Sequence, residues 1–214
     1  MKSQCLLCES QHLKSHYQSP KSDQFWACED CHFVFREPLQ WLSVEAEAER
    51  YLSHQNSVES IGYQNFLTPV VEMIQNRQKP TERGLDYGCG PQSVIQFLLQ
   101  KNNYQMEIWD PQFHPDPMPK QHVYDYVSCT EVFEHFRDPL QEARKIKNLM
   151  NIQGTMYVKT SWVDRVSDFS KWHYQRDPTH VGFFGKKSFE YLSSKLDLEI
   201  VKLSEPCCIF RAKP

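Results

Sequence analysis

Arg83–Gln100 reads RGLDYGCGPQSVIQFLLQ, and this stretch sets the expectation for the rest of the 214-residue chain. The chain holds only 7 glycines, yet Gly84, Gly88 and Gly90 fall within seven residues. Glycine gathers where backbone must turn tightly or meet something closely. A short strand is expected over 84–87, a turn at Gly88 and Gly90, and a helix from Pro91, a residue suited to the first helical position. That helix would carry Val94, Ile95, Leu98 and Leu99 on one side. Strand, glycine turn and helix form the unit whose backbone N–H groups meet a ligand at the helix start. Twenty residues past Gly90, a second expected strand (105–109) ends in Asp110. An acidic group there suits hydrogen bonding to ribose hydroxyls. The third glycine of G-x-G-x-x-G is absent and Asp86 stands two residues before the first, so the pattern is not that of a NAD site.

LDYGCGP resembles motif I of class I S-adenosylmethionine-dependent methyltransferases, where Asp-x-Gly-x-Gly wraps the methionine end of the cofactor. The resemblance continues in order through IWDP (the acidic end of the second strand), YDYVSCTEVFEHFRDP (the fourth strand, with a Glu-His pair before an Asp-Pro helix start) and GTMYVKT (the fifth strand). It covers residues 83–214, about three fifths of the chain. It implies an α/β fold, a Rossmann-like class I methyltransferase sheet with helices on both faces, and a cofactor site built from Asp86, Gly88, Gly90, Asp110 and Glu131. Two departures stand out. Gln92 occupies the place of the third glycine many relatives have. Only thirteen residues separate Asp110 from Tyr124, and PQFHPDPMPKQHV is too proline-rich for an ordinary helix. The third-strand unit, which contacts adenine, is therefore expected to be shortened.

The front of the chain carries different chemistry. Cys5 and Cys8, then Cys28 and Cys31, form two C-x2-C pairs separated by nineteen residues. Zinc takes four soft ligands in a tetrahedron, and each pair supplies two thiolates from one turn. A structural zinc ribbon over 1–40 is expected. Disulfides are disfavoured by the cytoplasmic reading given below. His32 is a possible substitute ligand, whereas His12 and His16 have poor spacing. Through Arg36 the segment has four basic and four acidic residues, a poor grip for phosphates. The remaining cysteines are expected in the core. Residues 41–80 read as a helical collar. Ser43 is a plausible N-cap, and Phe66, Leu67, Val70, Val71 and Ile74 lie at helical spacing, with Pro69 near the first turns. A sharper possibility is that Tyr51, His54 and Asn56 reach over an active site. The main domain would span 81–214.

Asp138 and Pro139 form an N-cap and first-position pair for a helix buried through Leu140, Ala143, Ile146 and Met150. A further helix is expected over 188–196, then closing strands over 199–203 and 207–211. Between lies DFSKWHYQRDPTHVGFFGKKS, beyond the carboxyl end of a strand, where such sheets bind ligands. It also resembles a stretch in small bacterial methyltransferases with a zinc-binding front end. Methyl transfer from a sulfonium is an in-line displacement that needs no metal. The enzyme aligns the partners and takes a proton where the acceptor is a hydroxyl, amine or acidic carbon. Histidine suits that task, so His173 and His180 are the catalytic candidates, with Asp177 as an orienter. His135 reads as more structural than catalytic.

Net charge is −3 and the chain is 40% hydrophobic. That balance disfavours a protein clamping nucleic-acid backbone. No apolar run approaches the roughly 20 residues that span a bilayer, and the start MKSQCLLCES does not read as a signal peptide. The expectation is a cytoplasmic enzyme that methylates a small molecule such as a sugar, using S-adenosylmethionine and a structural zinc. A ribosomal-RNA-type methyltransferase docking substrate on the ribbon is the second reading. A non-enzymatic binding protein with a degraded cofactor loop is the third.

Overall fold

The computed structural model describes residues 4–20, 22–52 and 57–214. Two sheets organise the chain. The smaller is antiparallel in the order β1-β2-β3-β8, from β1 (Leu13–Gln18), β2 (Gln24–Cys28), β3 (Val34–Arg36) and β8 (Gly182–Phe183). The larger runs β5-β4-β6-β7-β10-β9, from β4 (Arg83–Tyr87), β5 (Gln105–Trp109), β6 (Tyr124–Thr130), β7 (Met150–Lys159), β9 (Leu198–Lys202) and β10 (Cys208–Ala212). β4 pairs in parallel with both β5 and β6, and β6 with β7, while β10 runs antiparallel to β7 and β9.

Alternation along the strands assigns the two faces. Val127, Met156, Val158, Cys208 and Phe210 pack with Ala143 and Ile146 of α4 (Pro139–Leu149) and Phe189 and Leu192 of α5 (Lys186–Lys195). Their strand neighbours Tyr126, Tyr157 and Ile209 pack instead with Leu67, Val70, Val71 and Ile74 of α2 (Ile61–Gln75) and Val94, Ile95 and Leu99 of α3 (Val94–Gln100). A period of two along strands buried on both sides requires helices on both faces, as expected.

Several elements lie a few residues from their expected places. α3 begins at Val94 and not at Pro91, because Ser93 is the N-cap, accepting from Gln96 N at 3.0 Å. α2 begins at Ile61 behind Ser60, so Pro69 falls in its middle. Phe66 is 43% exposed rather than core, and the Lys159 ammonium sits 3.6 Å over its ring. Met150 belongs to β7, and Leu149 takes its place in the stripe of α4. α4 itself starts as expected, with Gln141 N donating to Asp138 Oδ1 at 3.0 Å. Residues 111–123 form neither helix nor strand, so β5 is the edge of the large sheet and the third-strand unit is reduced to a loop.

The front segment is stitched into the main body. β8 comes from the loop between β7 and α5, yet it pairs with β3. Phe33 and Phe35 share one core with Phe184 and Phe189, and a Cβ at Gly182 would lie 2.6 Å from the Phe33 ring. The guanidinium of Arg36, 3% exposed, donates to the backbone carbonyls of Gln175 (2.8 Å), Asp177 (3.3 Å) and His180 (3.4 Å) and to Asp23 Oδ1 (2.8 Å). Among the described residues, no helix is long and apolar enough to cross a membrane.

Candidate active site

The carboxyl ends of β4, β5 and β6 open onto one cavity of about 1190 Å³. Asp86, Gly88, Gly90, Asp110 and Glu131 all line it, as do Asp177 and His180. This is the edge at which open α/β sheets take ligands.

The glycine turn is built from its neighbours. Gly88 has φ +74°, and a Cβ there would lie 2.8 Å from the Val132 methyls. Gly90 has φ +67°, yet a Cβ there would meet nothing within 4 Å. One glycine is forced by packing; the other faces open space, where a ligand can approach the backbone. Asp86 accepts from Ser93 Oγ and Ser128 Oγ, each at 2.6 Å, and so pins the helix cap to the sheet. Burial pushes its carboxyl up to about 6, against those two hydrogen bonds. Asp110 accepts from Gly90 N at 2.9 Å, Gln112 N at 2.9 Å and Phe113 N at 3.1 Å, which ties the turn to the loop after β5. A carboxylate offers about four acceptor positions, so one stays available to a hydroxyl. Gln92, in place of the third glycine, accepts from Val58 N at 3.0 Å and latches the segment before α2 to the turn.

The opposite wall comes from the loop after β6 and the loop before β8. Glu131 is partly buried with φ +56°, a strained conformation of the kind that gathers at functional sites. Burial pushes the carboxyls of Glu131 and Glu134 upward, and the charge of Glu134 raises Glu131 further. Glu134 is fully buried and accepts from the Tyr174 hydroxyl, which also lies 3.0 Å from Thr160 Oγ1. His180 Nδ1 lies 2.7 Å from Tyr174 O, and His135 Nδ1 lies 3.0 Å from Thr179 O. A carbonyl only accepts, so both Nδ1 atoms carry the proton, and in the neutral ring the lone pair is on Nε2.

Of the expected catalytic residues, the structure brings His180 and Asp177 to the cavity and not His173. His173 opens a 3-10 turn, in which neighbours point about 120° apart. The turn buries Tyr174 and leaves His173 exposed, off the cavity lining. Asp177 accepts from Arg50 Nη2 at 2.8 Å and from Thr179 N and Oγ1 at 3.0 and 2.6 Å. Burial opposes its charged form, but these bonds outweigh burial and hold the carboxyl well below the usual range.

Across the opening lies α1 (Val44–Leu52), which buries no side chain and contributes Glu47, Arg50 and Tyr51 to the lining. Arg137 holds it, donating to Leu42 O at 2.8 Å and Glu47 Oε2 at 2.9 Å. The Tyr51 ring meets His135 edge to face at 5.2 Å. Tyr51 thus takes part in the site; His54 and Asn56 lie outside the described residues. Glu134 entered the sequence reading only as half of a Glu-His pair, with no role given to it, and Arg50 and Arg137 were not singled out. The i, i+3 spacing of Glu131 and Glu134 could have flagged the first, because residues three apart share a face of a helical turn.

At the front, Cys5 Sγ lies 3.5 Å from Cys31 Sγ, and Cys8 Sγ lies 3.5 Å from Cys28 Sγ. All four sulfurs fall within 4.8 Å of one another. The edge of a zinc–thiolate tetrahedron is ~3.8 Å, so the spacing and donor chemistry fit that ion. His32 lies apart, 3.2 Å from Lys187 Nζ. Cys129, Cys207 and Cys208 are buried as expected, while Cys89 is partly buried and lines the cavity.

A family model described as a methyltransferase domain matches residues 61–203, about two thirds of the chain. The chain belongs to this family, and it is a class I S-adenosylmethionine-dependent methyltransferase. No curated protein matches the sequence. Among solved structures, the fold is similar to 1,6-didemethyltoxoflavin-N1-methyltransferase from Burkholderia thailandensis with bound 1,6-didemethyltoxoflavin and S-adenosylhomocysteine. That likeness has TM-score 0.58 and 11% identity, over 94% of this chain and 100% of that one. An O-methyltransferase family protein from Burkholderia thailandensis gives TM-score 0.55 and 11% identity, over 78% of this chain and 62% of that one. A chain from the complex of the Haloferax volcanii Trm112 methyltransferase activator with a methyltransferase gives 0.52 and 10%, over 76% and 100%. At these identities the likeness is one of fold.

Proposed function

We propose that this protein transfers the methyl group of S-adenosylmethionine to a small-molecule acceptor inside the cavity. The observation that carries the reading is one shared cavity of about 1190 Å³, with the glycine turn and Asp110 on one wall and Glu131, His135 and His180 on the other. It has room for a cofactor and a small acceptor side by side. When bound, the cofactor supplies an electrophilic methyl on a sulfonium. Gly88 and Gly90 let the backbone approach its amino-acid end, Asp110 receives ribose hydroxyls, and Asp86 holds the turn in shape. Glu131 meets the cofactor from the opposite wall. His180 engages the acceptor through its Nε2 lone pair, with Tyr174 O fixing the tautomer at 2.7 Å. Asp177 anchors the loop on which His180 sits. Support for a small acceptor comes from the Burkholderia thailandensis enzyme of similar fold, which has 1,6-didemethyltoxoflavin and S-adenosylhomocysteine bound, and from the net charge of −3, which offers little to phosphates.

The four cysteines hold a structural zinc in this reading, since a closed thiolate set leaves no open position. Calorimetric titration with S-adenosylhomocysteine is the test. Micromolar binding is expected; no heat from folded, zinc-loaded protein would overturn the assignment.

A further inference from the structure

Among the described residues, the buried side-chain oxygens without a hydrogen-bond partner are Glu131 Oε1 and Glu134 Oε2. Glu131 lines the cavity together with His135 and His180, and Glu134 is fully buried beside His135 in the chain. An orphaned carboxylate oxygen buried in a dry site is costly, so its presence needs a reason. Glu134, His135 and His180 each offer one ligand atom, and the three atoms lie within 4.8 Å of one another. His135 Nε2 itself stands 4.0 Å from Glu134 Oε1. Both imidazoles donate Nδ1–H to backbone carbonyls of one loop, Thr179 O and Tyr174 O. That is the outer-shell arrangement that orients metal-binding histidines, with Nε2 as the ligand atom. The carboxylate is likewise oriented, by Tyr174.

We propose that Glu134, His135 and His180 form a binding site for a first-row divalent cation at the acceptor side of the cavity. Two imidazoles and one carboxylate suit manganese, iron, cobalt or zinc in nitrogen–oxygen coordination, unlike the all-sulfur set at the front. Three protein ligands leave positions open, and His135 and His180 line the cavity, so the open positions fall to an acceptor oxygen. Ligands at about 2.1 Å from an ion stand ~3–3.4 Å apart, so the set contracts by side-chain rotation when the ion enters. The inference rests on the methyltransferase reading for its purpose, and it gives the His180 lone pair to a cation in place of a proton.

The test is titration of zinc-loaded, chelator-washed protein with manganese(II), followed by loss of the free-ion electron paramagnetic resonance signal. Manganese is chosen because soft thiolates do not favour it, which keeps the four-cysteine site out of the measurement. One manganese per chain is expected, weakened at least tenfold in His180→Ala and in His135→Gln. The second variant changes the less buried of the two histidines, so it guards against misfolding of the first, and retained zinc with an unchanged thermal transition certifies each. No manganese uptake by wild-type protein that binds S-adenosylhomocysteine would overturn the cation site and leave the methyltransferase reading intact. Uptake without cofactor binding would do the reverse. Uptake that persists in both variants places the ion elsewhere and sinks the proposal.

Discussion

Asp86 shows how a site residue can be costly to the fold. With its carboxyl raised to about 6 by burial from an ordinary 3.8, the folded state binds that proton more tightly than the unfolded chain. Its contribution to stability is therefore fullest below about pH 4, falls as pH rises through about 6, and is level above. Asp86→Asn removes this titration: the change in denaturation midpoint between about pH 4 and pH 7 should be smaller in the variant than in the wild type. An equal change in both would put the Asp86 carboxyl at its ordinary value. Asp110 acts differently. Its three backbone donors close the turn around Gly90, and in our reading a ribose hydroxyl is the fourth. Asp110→Ala should weaken S-adenosylhomocysteine binding by about 1.5–3 kcal/mol, roughly tenfold to a hundredfold. Unchanged affinity in calorimetry would show that β5 does not carry the ribose contact.

At the scale of elements, the loop from Phe169 to Val181 depends on β3. Arg36 satisfies three of its carbonyls from within the ribbon sheet, and the β3–β8 pairing fixes the far end. Removing the guanidinium leaves the Asp177 carbonyl with His180 N at 3.2 Å but takes the donor from the carbonyls of Gln175 and His180, which costs about 1–3 kcal/mol each where water cannot reach. Arg36→Met should lower thermal stability, and amide exchange should accelerate most over 173–181. Exchange that rises evenly along the chain would instead mean that Arg36 acts on global stability alone. α1 is the contrasting element. It buries no side chain and is held over the cavity by Arg50–Asp177 and Arg137–Glu47 contacts at 2.8 and 2.9 Å, half-exposed pairs worth little individually.

For the whole molecule, the sharing of one core between ribbon and sheet has a thermodynamic consequence. Cys5 and Cys31 belong to the same cluster as Phe184, Phe189 and Phe210. If the four cysteines hold zinc, the free energy of metal binding is folding free energy for everything packed on that cluster. Cys5→Ser should lose the zinc and shift a single thermal transition downward, with cofactor affinity little changed in protein that remains folded. Full metal content in the variant would break the four-cysteine assignment. Two separate transitions would show that the ribbon melts alone.

What the sequence determined by itself rests on local rules. A glycine turn between a strand and a helix, an acidic residue at the end of the next strand, paired C-x2-C knuckles and an Asp-Pro helix start each declare themselves over a few residues, because backbone sterics, capping and metal geometry act at that range. The missing third-strand unit was legible the same way, from prolines. The site's far wall was decided only by tertiary structure. His173 and His180 look alike in sequence, and packing of Tyr174 against Glu134 and Thr160 sends one to the surface and the other to the cavity. His135, which read as structural, meets His180 at a ring distance of 4.8 Å across forty-five positions of sequence. Likewise β8 joins the ribbon sheet although it lies nearly 150 residues from β3. Such pairings follow from burying apolar surface across the whole chain, and no local pattern carries that information.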